Sequence, residues 1–253
     1  MNAPAVTFVV PVYRNRETLR LLCERIQATA AAAWPEEALE IILVDDASPD
    51  GAWAEIERLS GVMPCVRGVR LAKNRGQHFA VLVGFSLGRG GWLVSLDGDL
   101  QDAPEAAPAL RAALGDADVV FAGRRGWYQA FGAMITSGLY RRVILARLGL
   151  PRDAGMFFLI TGAGRDRLLE RLVPDPSVIG LIAATLRTRS IPVERAAREV
   201  GTSSYTQSAR LKAALRAFTT WRAARRPRST AAEGRSTLSA LVVQDTLRCE
   251  KPA

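Results

Sequence analysis

The chain has 253 residues, of which 49% are apolar, and a formal net charge of +9. That apolar share excludes a globally disordered chain and suits one large domain, or one domain with a tail. The positive balance points to an anionic partner: nucleic acid, an anionic membrane surface or a phosphorylated small molecule. Cys23, Cys65 and Cys249 share no metal-like spacing, and an odd count of three argues against a disulfide framework, so a reducing cytoplasm is expected. No basic region followed by a long apolar core opens the chain, so no signal peptide is expected. The longest charge-free stretch, 126–140, contains Gln129, Thr136, Ser137 and three glycines, too short and polar to span a bilayer.

In chain order, "TFVVPV" (7–12) is short and rich in β-branched residues, which predicts a strand. "RETLRLLCERIQATAAAA" (16–33) places Leu19, Leu22, Cys23 and Ile26 on one face of a helix. A second buried strand is expected at "LEIILVD" (39–45), then a turn and helix at "SPDGAWAEIERLS" (48–60). "CVRGVRL" (65–71) predicts a third strand, and "GQHFAVLVGFSLGRG" (76–90) a buried helix ending at glycines. The series continues through strand "GWLVSLD" (91–97), a Pro-started helix around 104–114 and strand "DVVFAG" (118–123). Such alternation predicts an α/β fold, a mostly parallel sheet covered by helices on both faces. Further on, 130–150 reads as helical and 154–160 as a strand, while "SVIGLIAATL" (177–186) fits either. The 207–226 segment is a basic amphipathic helix, and after Pro227 the Ser, Thr, Ala, Gly and Arg content predicts a mostly disordered tail over 227–253.

Two acidic clusters stand at predicted strand ends, where ligands bind in open α/β sheets. The first, "SLDGDLQDAPE" (95–105), gathers Asp97, Asp99, Asp102 and Glu105. Two carboxylates about 4 Å apart repel by roughly 4 kcal/mol at a surface-like dielectric, so a metal, a lysine or water must offset them. Read as a D-x-D pair, Asp97 and Asp99 offer hard oxygens to Mg²⁺ or Mn²⁺, with the Gln101 carbonyl beside them and substrate phosphates completing the shell. Read as a solvated turn, Asp102 instead caps the helix begun by Pro104. The second cluster, "VDDASPDG" (44–51), suits base or ribose recognition, an N-cap by Ser48 or Asp50, or a phosphoaspartate site in a smaller receiver-like domain.

The motifs "VVPVYRNRETL" (9–19), "ILVDDASPDG" (42–51), "AKNRGQHFAVLVGF" (72–85) and "VSLDGDLQDAPE" (94–105) resemble family 2 glycosyltransferases of the GT-A fold. The likeness is to polyprenyl-phosphate glycosyltransferases, that is dolichyl-phosphate mannosyltransferase and bacterial undecaprenyl-phosphate relatives. It continues through "FAGRR" (121–125), "DAGMFFLI" (153–160) and "REVGTSSY" (198–205), covering roughly 5–222. The resemblance implies a glycosyltransferase domain over 1–206 that moves a sugar, with inversion, from a UDP- or GDP-linked donor to a polyprenyl phosphate. It implies donor-binding roles for Pro11, Tyr13, Asp45, Asp46, Asn74, Gly76 and Asp97, and a divalent cation, Mg²⁺ or Mn²⁺, on Asp99 and Gln101. Catalytic roles fall to Asp97, Asp99 and Asp102, the last as the base if one is needed. Arg124, Arg125, Arg141, Arg198, Ser203 and Tyr205 would grip the acceptor phosphate. Ser204 stands where the family often has lysine, which puts acceptor affinity or identity in question.

His78 reads as a helix-terminus or donor-pocket residue rather than a base. The tryptophans show no stacking platform, so no nucleic-acid partner is expected. Four arginines between 222 and 228 suggest peripheral contact with the anionic inner face of the plasma membrane. Two alternatives stay open: a family 2 enzyme acting on a saccharide hydroxyl, with Asp153 as base, and a nucleotide-sugar-binding relative that has lost transfer. The sugar, the nucleotide and the oligomeric state are not fixed by these residues.

Overall fold

A computed structural model describes residues 5–125, 144–194, 207–225 and 230–246. Eight strands form one sheet in the order β7-β5-β6-β4-β1-β2-β3-β8. The strands are β1 (Val6–Val12), β2 (Leu39–Asp45), β3 (Val66–Leu71), β4 (Trp92–Ser95), β5 (Val119–Arg125), β6 (Phe158–Thr161), β7 (Thr188–Glu194) and β8 (Val242–Asp245). The described helices of the α type are α1 (Leu19–Ala33), α2 (Ala52–Val62), α3 (Gln77–Leu87), α4 (Ala107–Ala112), α5 (Gly162–Leu169), α6 (Val178–Thr185), α7 (Gln207–Ala223) and α8 (Ala231–Ser239).

The unit that positions the site is the parallel run β4-β1-β2-β3, with β1 paired to β2 over its whole length from Val6↔Leu39 to Val12↔Asp45. Every residue of β1 is buried, as a continuous apolar strand covered on both faces must be. Its side chains alternate between two cores. Val6, Phe8, Val10 and Val12 join α1, α2 and α4 on one face, and Val9 joins α3, α6 and α7 on the other. Burial pushes the Cys23 thiol in α1 up to about 12, which keeps it chemically quiet. On the far half of the sheet, β6 runs antiparallel to both β4 and β5, and β7 returns parallel to β5 at the edge.

The expected α/β architecture is therefore present, with local corrections. The helix expected from residue 16 begins with a 3₁₀ turn (Arg16–Thr18), and so does the Pro-started one (Pro104–Ala106). Segment 177–186 resolves as helix α6, where the Ser177 side chain accepts the Gly180 N–H at 3.4 Å. Most of the 130–150 helix expectation lies outside the described residues.

The larger correction concerns the tail. Residues 230–246 carry α8 and β8, and β8 joins the same sheet, so the folded sheet extends past 206 and this part of the expected tail is ordered. Thr230 and Glu233 form a reciprocal capping box that starts α8. Strand β8 then pairs antiparallel with β3, from Val69↔Asp245 to Leu71↔Val242. Asp245 is 5% exposed and takes both forks of Arg67, Nη2 at 2.6 Å and Nε at 3.1 Å. Gly68 donates its N–H to the Thr246 hydroxyl at 2.8 Å. Among the described residues no helix is long and apolar enough to cross a membrane.

Candidate active site

The site is assembled where β1, β2 and β4 end. Each strand runs into a non-glycine residue with positive φ: Arg14 (59°), Ala47 (54°) and Leu100 (62°). Such conformations cost of order 1–3 kcal/mol each and persist only where the surroundings over-determine them, typically at functional sites. β2 and β4 both flank β1, so their ends lie about 10 Å apart at the usual strand spacing.

The turn after β2 is a hydrogen-bonded knot. The Ser48 hydroxyl accepts the Arg14 N–H at 2.7 Å and donates to Asp50 Oδ1 at 2.5 Å. Asp50 also accepts from the backbone of Arg16 (3.1 Å) and Ala52 (3.2 Å). Burial pushes the Asp50 carboxyl up, but these hydrogen bonds outweigh it and hold it below its ordinary value. The N-cap position of α2 is Gly51, so Ser48 and Asp50 brace the turn rather than occupy that cap position.

Asp45 and Asp46 are both buried, and burial raises both carboxyls above their usual range. Their roles differ. Asp46 accepts the backbone N–H groups of Arg75 (2.6 Å) and Gly76 (2.7 Å), and so pins the loop that leads into α3. Gly76 sits at φ 87°, a conformation that favours glycine. Asp45 Oδ1 accepts the Ser48 N–H at 2.9 Å. Its Oδ2 lies 3.2 Å from Arg70 Nε, close enough for an ion pair, but has no aligned hydrogen-bond donor among the described residues. A buried carboxylate oxygen left so is suited to accept an N–H or O–H from a ligand.

The D-x-D turn follows β4. Asp97, Asp99 and Gln101 are half-buried, whereas Asp102 is 3% exposed and accepts the Asp97 N–H at 3.4 Å. Asp99 Oδ1 accepts the Gln101 N–H at 3.2 Å, closing a local turn. Gln77, the first residue of α3, donates its side-chain amide to Asp97 Oδ1. The Gly98 carbonyl accepts from the Thr18 hydroxyl at 2.5 Å, tying the turn to α1.

The loop after β1 completes this end of the sheet. Pro11 is buried, Tyr13 is 42% exposed with Arg14 over its ring at 5.5 Å, and Asn74 is exposed on the β3–α3 loop. Arg124 and Arg125 end β5; Arg141, Arg198, Ser203 and Tyr205 lie outside the described residues. The structure thus brings Pro11, Asp45, Asp46, Gly76, Asp97, Asp99, Gln101 and Asp102 to neighbouring strand ends. Gln77 was absent from the residues expected there. Its only sequence signal is its place at the start of a helix whose preceding loop already carries Asn74 and Gly76. Gln77→Leu is expected to lower turnover about tenfold without altering the melting temperature, because Asp97 loses its orienting donor. Equal kinetics for the variant and wild type would refute that role.

His78 has a structural task. Its Nδ1 accepts the Val178 N–H at 3.3 Å, tethering α6 to α3. Burial, then the nearby Arg216 charge, pushes the imidazole down to about 4. A depressed pKa means the unfolded chain binds the proton more readily. The contribution is complete above about pH 6.5 and is lost as pH falls toward 4, by at most about 3 kcal/mol. His78→Asn should flatten this part of the pH–stability curve; parallel curves for the two proteins would exclude it.

Asp97 and Asp99 supply hard oxygens at a reachable strand end, a donor type that fits a divalent cation of the Mg²⁺ or Mn²⁺ type. Among the described residues no three Asp, Glu, His or Cys side chains gather as a cage, so such a cation would draw much of its shell from substrate and water.

Comparison with known proteins agrees with this geometry. The profile of glycosyl transferase family 2 matches residues 7–163. An undecaprenyl-phosphate 4-deoxy-4-formamido-L-arabinose transferase from Serratia proteamaculans (strain 568) is 34% identical over 208 residues, which are 79% of this chain and 62% of that protein. Its namesake from Sodalis glossinidius is 32% identical over 216 residues, 81% of this chain and 64% of the relative. The chain therefore spans less than two thirds of these relatives' length. Two solved structures share the fold. A mannosyltransferase from Pyrobaculum calidifontis, in complex with GDP-Man and Mn²⁺, has a TM-score of 0.53 at 18% identity, covering 100% of this chain and 77% of its own. Glucosyl-3-phosphoglycerate synthase from Mycobacterium tuberculosis, with Mn²⁺, UDP-glucose and phosphoglyceric acid, has a TM-score of 0.60 at 15% identity, covering 89% of this chain and 81% of its own. With its acidic strand ends, its GT-A sheet and a profile match across most of that sheet, the chain belongs to glycosyl transferase family 2.

Proposed function

We propose that the protein transfers a sugar, with inversion, from a nucleotide-diphosphate sugar to a polyprenyl phosphate at the cytosolic face of the membrane. The observation that carries this reading is the convergence of Asp45, Asp97 and Asp99 at the ends of two strands flanking β1. That span of about 10 Å matches a nucleoside at one end and its diphosphate at the other. The undecaprenyl-phosphate transferases at 31–34% identity support the acceptor class.

In this reading Asp45 offers its second oxygen to the base or ribose, with Pro11, Tyr13 and Asn74 alongside. Asp46 holds the Arg75–Gly76 backbone in place as the donor enters. Asp97, oriented by Gln77, takes the ribose or sugar side. Asp99 and Gln101 would hold the divalent cation, which when bound supplies charge neutralisation for the departing diphosphate. A phosphate oxygen of the acceptor attacks the anomeric carbon, the bond from that carbon to the diphosphate breaks, and the electron pair leaves with the nucleoside diphosphate. The acceptor is ionised near neutral pH, so no strong base is required. Asp102 is accordingly assigned to bracing the turn. Arg124 and Arg125, with Arg141, Arg198, Ser203 and Tyr205, are assigned to the acceptor phosphate. The net charge of +9 favours an anionic membrane surface.

The test is transfer of label from UDP- and GDP-sugars into organic-extractable undecaprenyl phosphate, with Mg²⁺ or Mn²⁺ and with chelator. A lipid-soluble product that disappears with chelator supports the reading. Donor binding without any lipid product overturns it.

A further inference from the structure

We infer that Asp45, Arg70 and Gln244 act as one row across three strands, in which Gln244 on β8 holds Arg70 and Arg70 holds Asp45 ready to receive the nucleoside of the donor. Arg70 is thus a positioning residue for donor recognition, and β8 belongs to the frame of the donor site. The inference rests on the nucleotide-sugar reading and adds two residues to it. The row follows from strand register. Asp45 pairs with Arg70 on the parallel strands β2 and β3, and Arg70 pairs with Gln244 on the antiparallel strands β3 and β8. Register partners share one face of a sheet, so the three side chains stand abreast near the carboxyl ends of β2 and β3. That face is the one α2 covers. Leu43, two residues before Asp45, packs in the same core as Trp53 and Ile56 of α2.

Contacts run the length of the row. Arg70 Nε lies 3.2 Å from Asp45 Oδ2, and Arg70 Nη1 donates to Gln244 Oε1 at 3.2 Å. The Arg70 guanidinium also stands 5.8 Å from the Trp53 ring centroid, within reach of a cation–π contact. Asp45 is fully buried, whereas 36% of the Arg70 side chain is exposed. A long side chain at that exposure keeps its rotamer freedom unless neighbours fix it, and Gln244 and Trp53 do so from two elements. The charged groups around Asp45 are Arg70 on β3, Asp50 in the following turn and its neighbour Asp46. Burial and Asp50 push the Asp45 carboxyl toward its neutral form, while the Ser48 N–H and the Arg70 charge oppose them. An ionised carboxylate has room for about four hydrogen bonds, so pairing with Ser48 and Arg70 still leaves acceptor positions for a base or ribose. Without Arg70 the balance tips toward the neutral acid, which offers a ligand no charge-assisted hydrogen bond. Strand β8 lies beyond residues 7–163, the stretch the family profile matches, so the C-terminal segment adds this fastening to the family's sheet.

The experiment measures Kd for UDP and for GDP, each with Mg²⁺, between about pH 5.5 and about pH 8. The readout is the ratio of variant to wild-type Kd for whichever nucleotide binds more tightly, in which titration of the phosphates themselves cancels. For Arg70→Gln the ratio is expected to be about threefold near pH 8 and to exceed about tenfold near pH 5.5, as a growing share of Asp45 takes up a proton. Arg70→Lys should restore most of the affinity. Gln244→Ala should show the same trend with smaller amplitude, and its exposed position keeps the test open should Arg70→Gln fail to fold in melting curves. In an Asp45→Asn background, where that carboxyl is gone, Arg70→Gln should add no pH dependence. Arg58→Ala on α2, an exposed site paired with Glu55, controls for loss of one positive charge and should match the wild type. A ratio of one throughout, or one raised equally at every pH, would mean that Arg70 does not act through Asp45; either overturns this inference and leaves the proposed function standing. A wild-type protein that binds neither nucleotide overturns both.

Discussion

Replacement of Asp99 by alanine is expected to lower sugar transfer at least about a thousand-fold, equivalent to roughly 4 kcal/mol of transition-state stabilisation. Asp99 sits four residues past the end of β4, in a turn held by Thr18, Gln101 and Asp102 rather than by the Asp99 side chain alone. The substitution therefore removes a ligand without removing the scaffold, and the melting temperature should move by only a few degrees. The second signature separates this role from general electrostatics. Binding of the nucleoside diphosphate should depend on Mn²⁺ in the wild type and become indifferent to it in Asp99→Ala. A variant that keeps metal-dependent donor binding, or more than a tenth of wild-type turnover, would exclude Asp99 as the cation ligand.

The second large effect falls at the opposite end of the chain. Asp245→Ala is expected to destabilise the fold by about 3–5 kcal/mol, because it strands the Arg67 guanidinium in a buried setting. The side chain of Arg67 is 12% exposed and that of Asp245 is 2% exposed, so solvent replaces little of the lost partner. For a protein of this size that corresponds to roughly 6–20 °C in Tm. The double change Arg67→Met/Asp245→Leu should recover much of it, since the penalty comes from the unpaired charge rather than from the absence of the pair. A loss below about 0.5 kcal/mol in urea titrations of Asp245→Ala would mean that β8 is not latched in solution.

What could be read directly from the residues, and what could not, follows the physics of each segment. β1 and β2 are continuous apolar runs because both faces are covered, and β4 leads straight into the D-x-D motif, so strands and acidic ends were visible together. β7 was not, because "TRSIPVE" alternates half-exposed and exposed residues and contains Pro192. Proline is tolerated there because β7 is an edge strand. α8 was hidden by a Ser-, Thr- and Arg-rich composition, although Thr230 and Glu233 spelled a capping box three residues apart. The division of labour between Asp45 and Asp46 was also illegible: adjacent acids look alike in sequence. Only the fold shows one anchoring the Arg75–Gly76 backbone and the other set against Ser48 and Arg70. Gln77 was missed for the same reason, since its partner lies 20 positions away.

The pairing of β3 with β8 has a bearing on how the protein is made. The contacts that close this edge join residues 178 positions apart, Arg67 with Asp245 and Gly68 with Thr246. At ribosomal speeds of about 5–20 residues per second, β3 waits on the order of ten to a few tens of seconds before its partner emerges. During that interval a central-domain strand presents a row of open amide and carbonyl groups, the usual template for intermolecular pairing. Arg67 and Arg70 lie within that strand, and charged residues of this kind are gatekeepers against edge-to-edge association. The same two arginines thus guard the nascent edge and afterwards serve as its fastenings, Arg67 to Asp245 and Arg70 to Asp45 and Gln244.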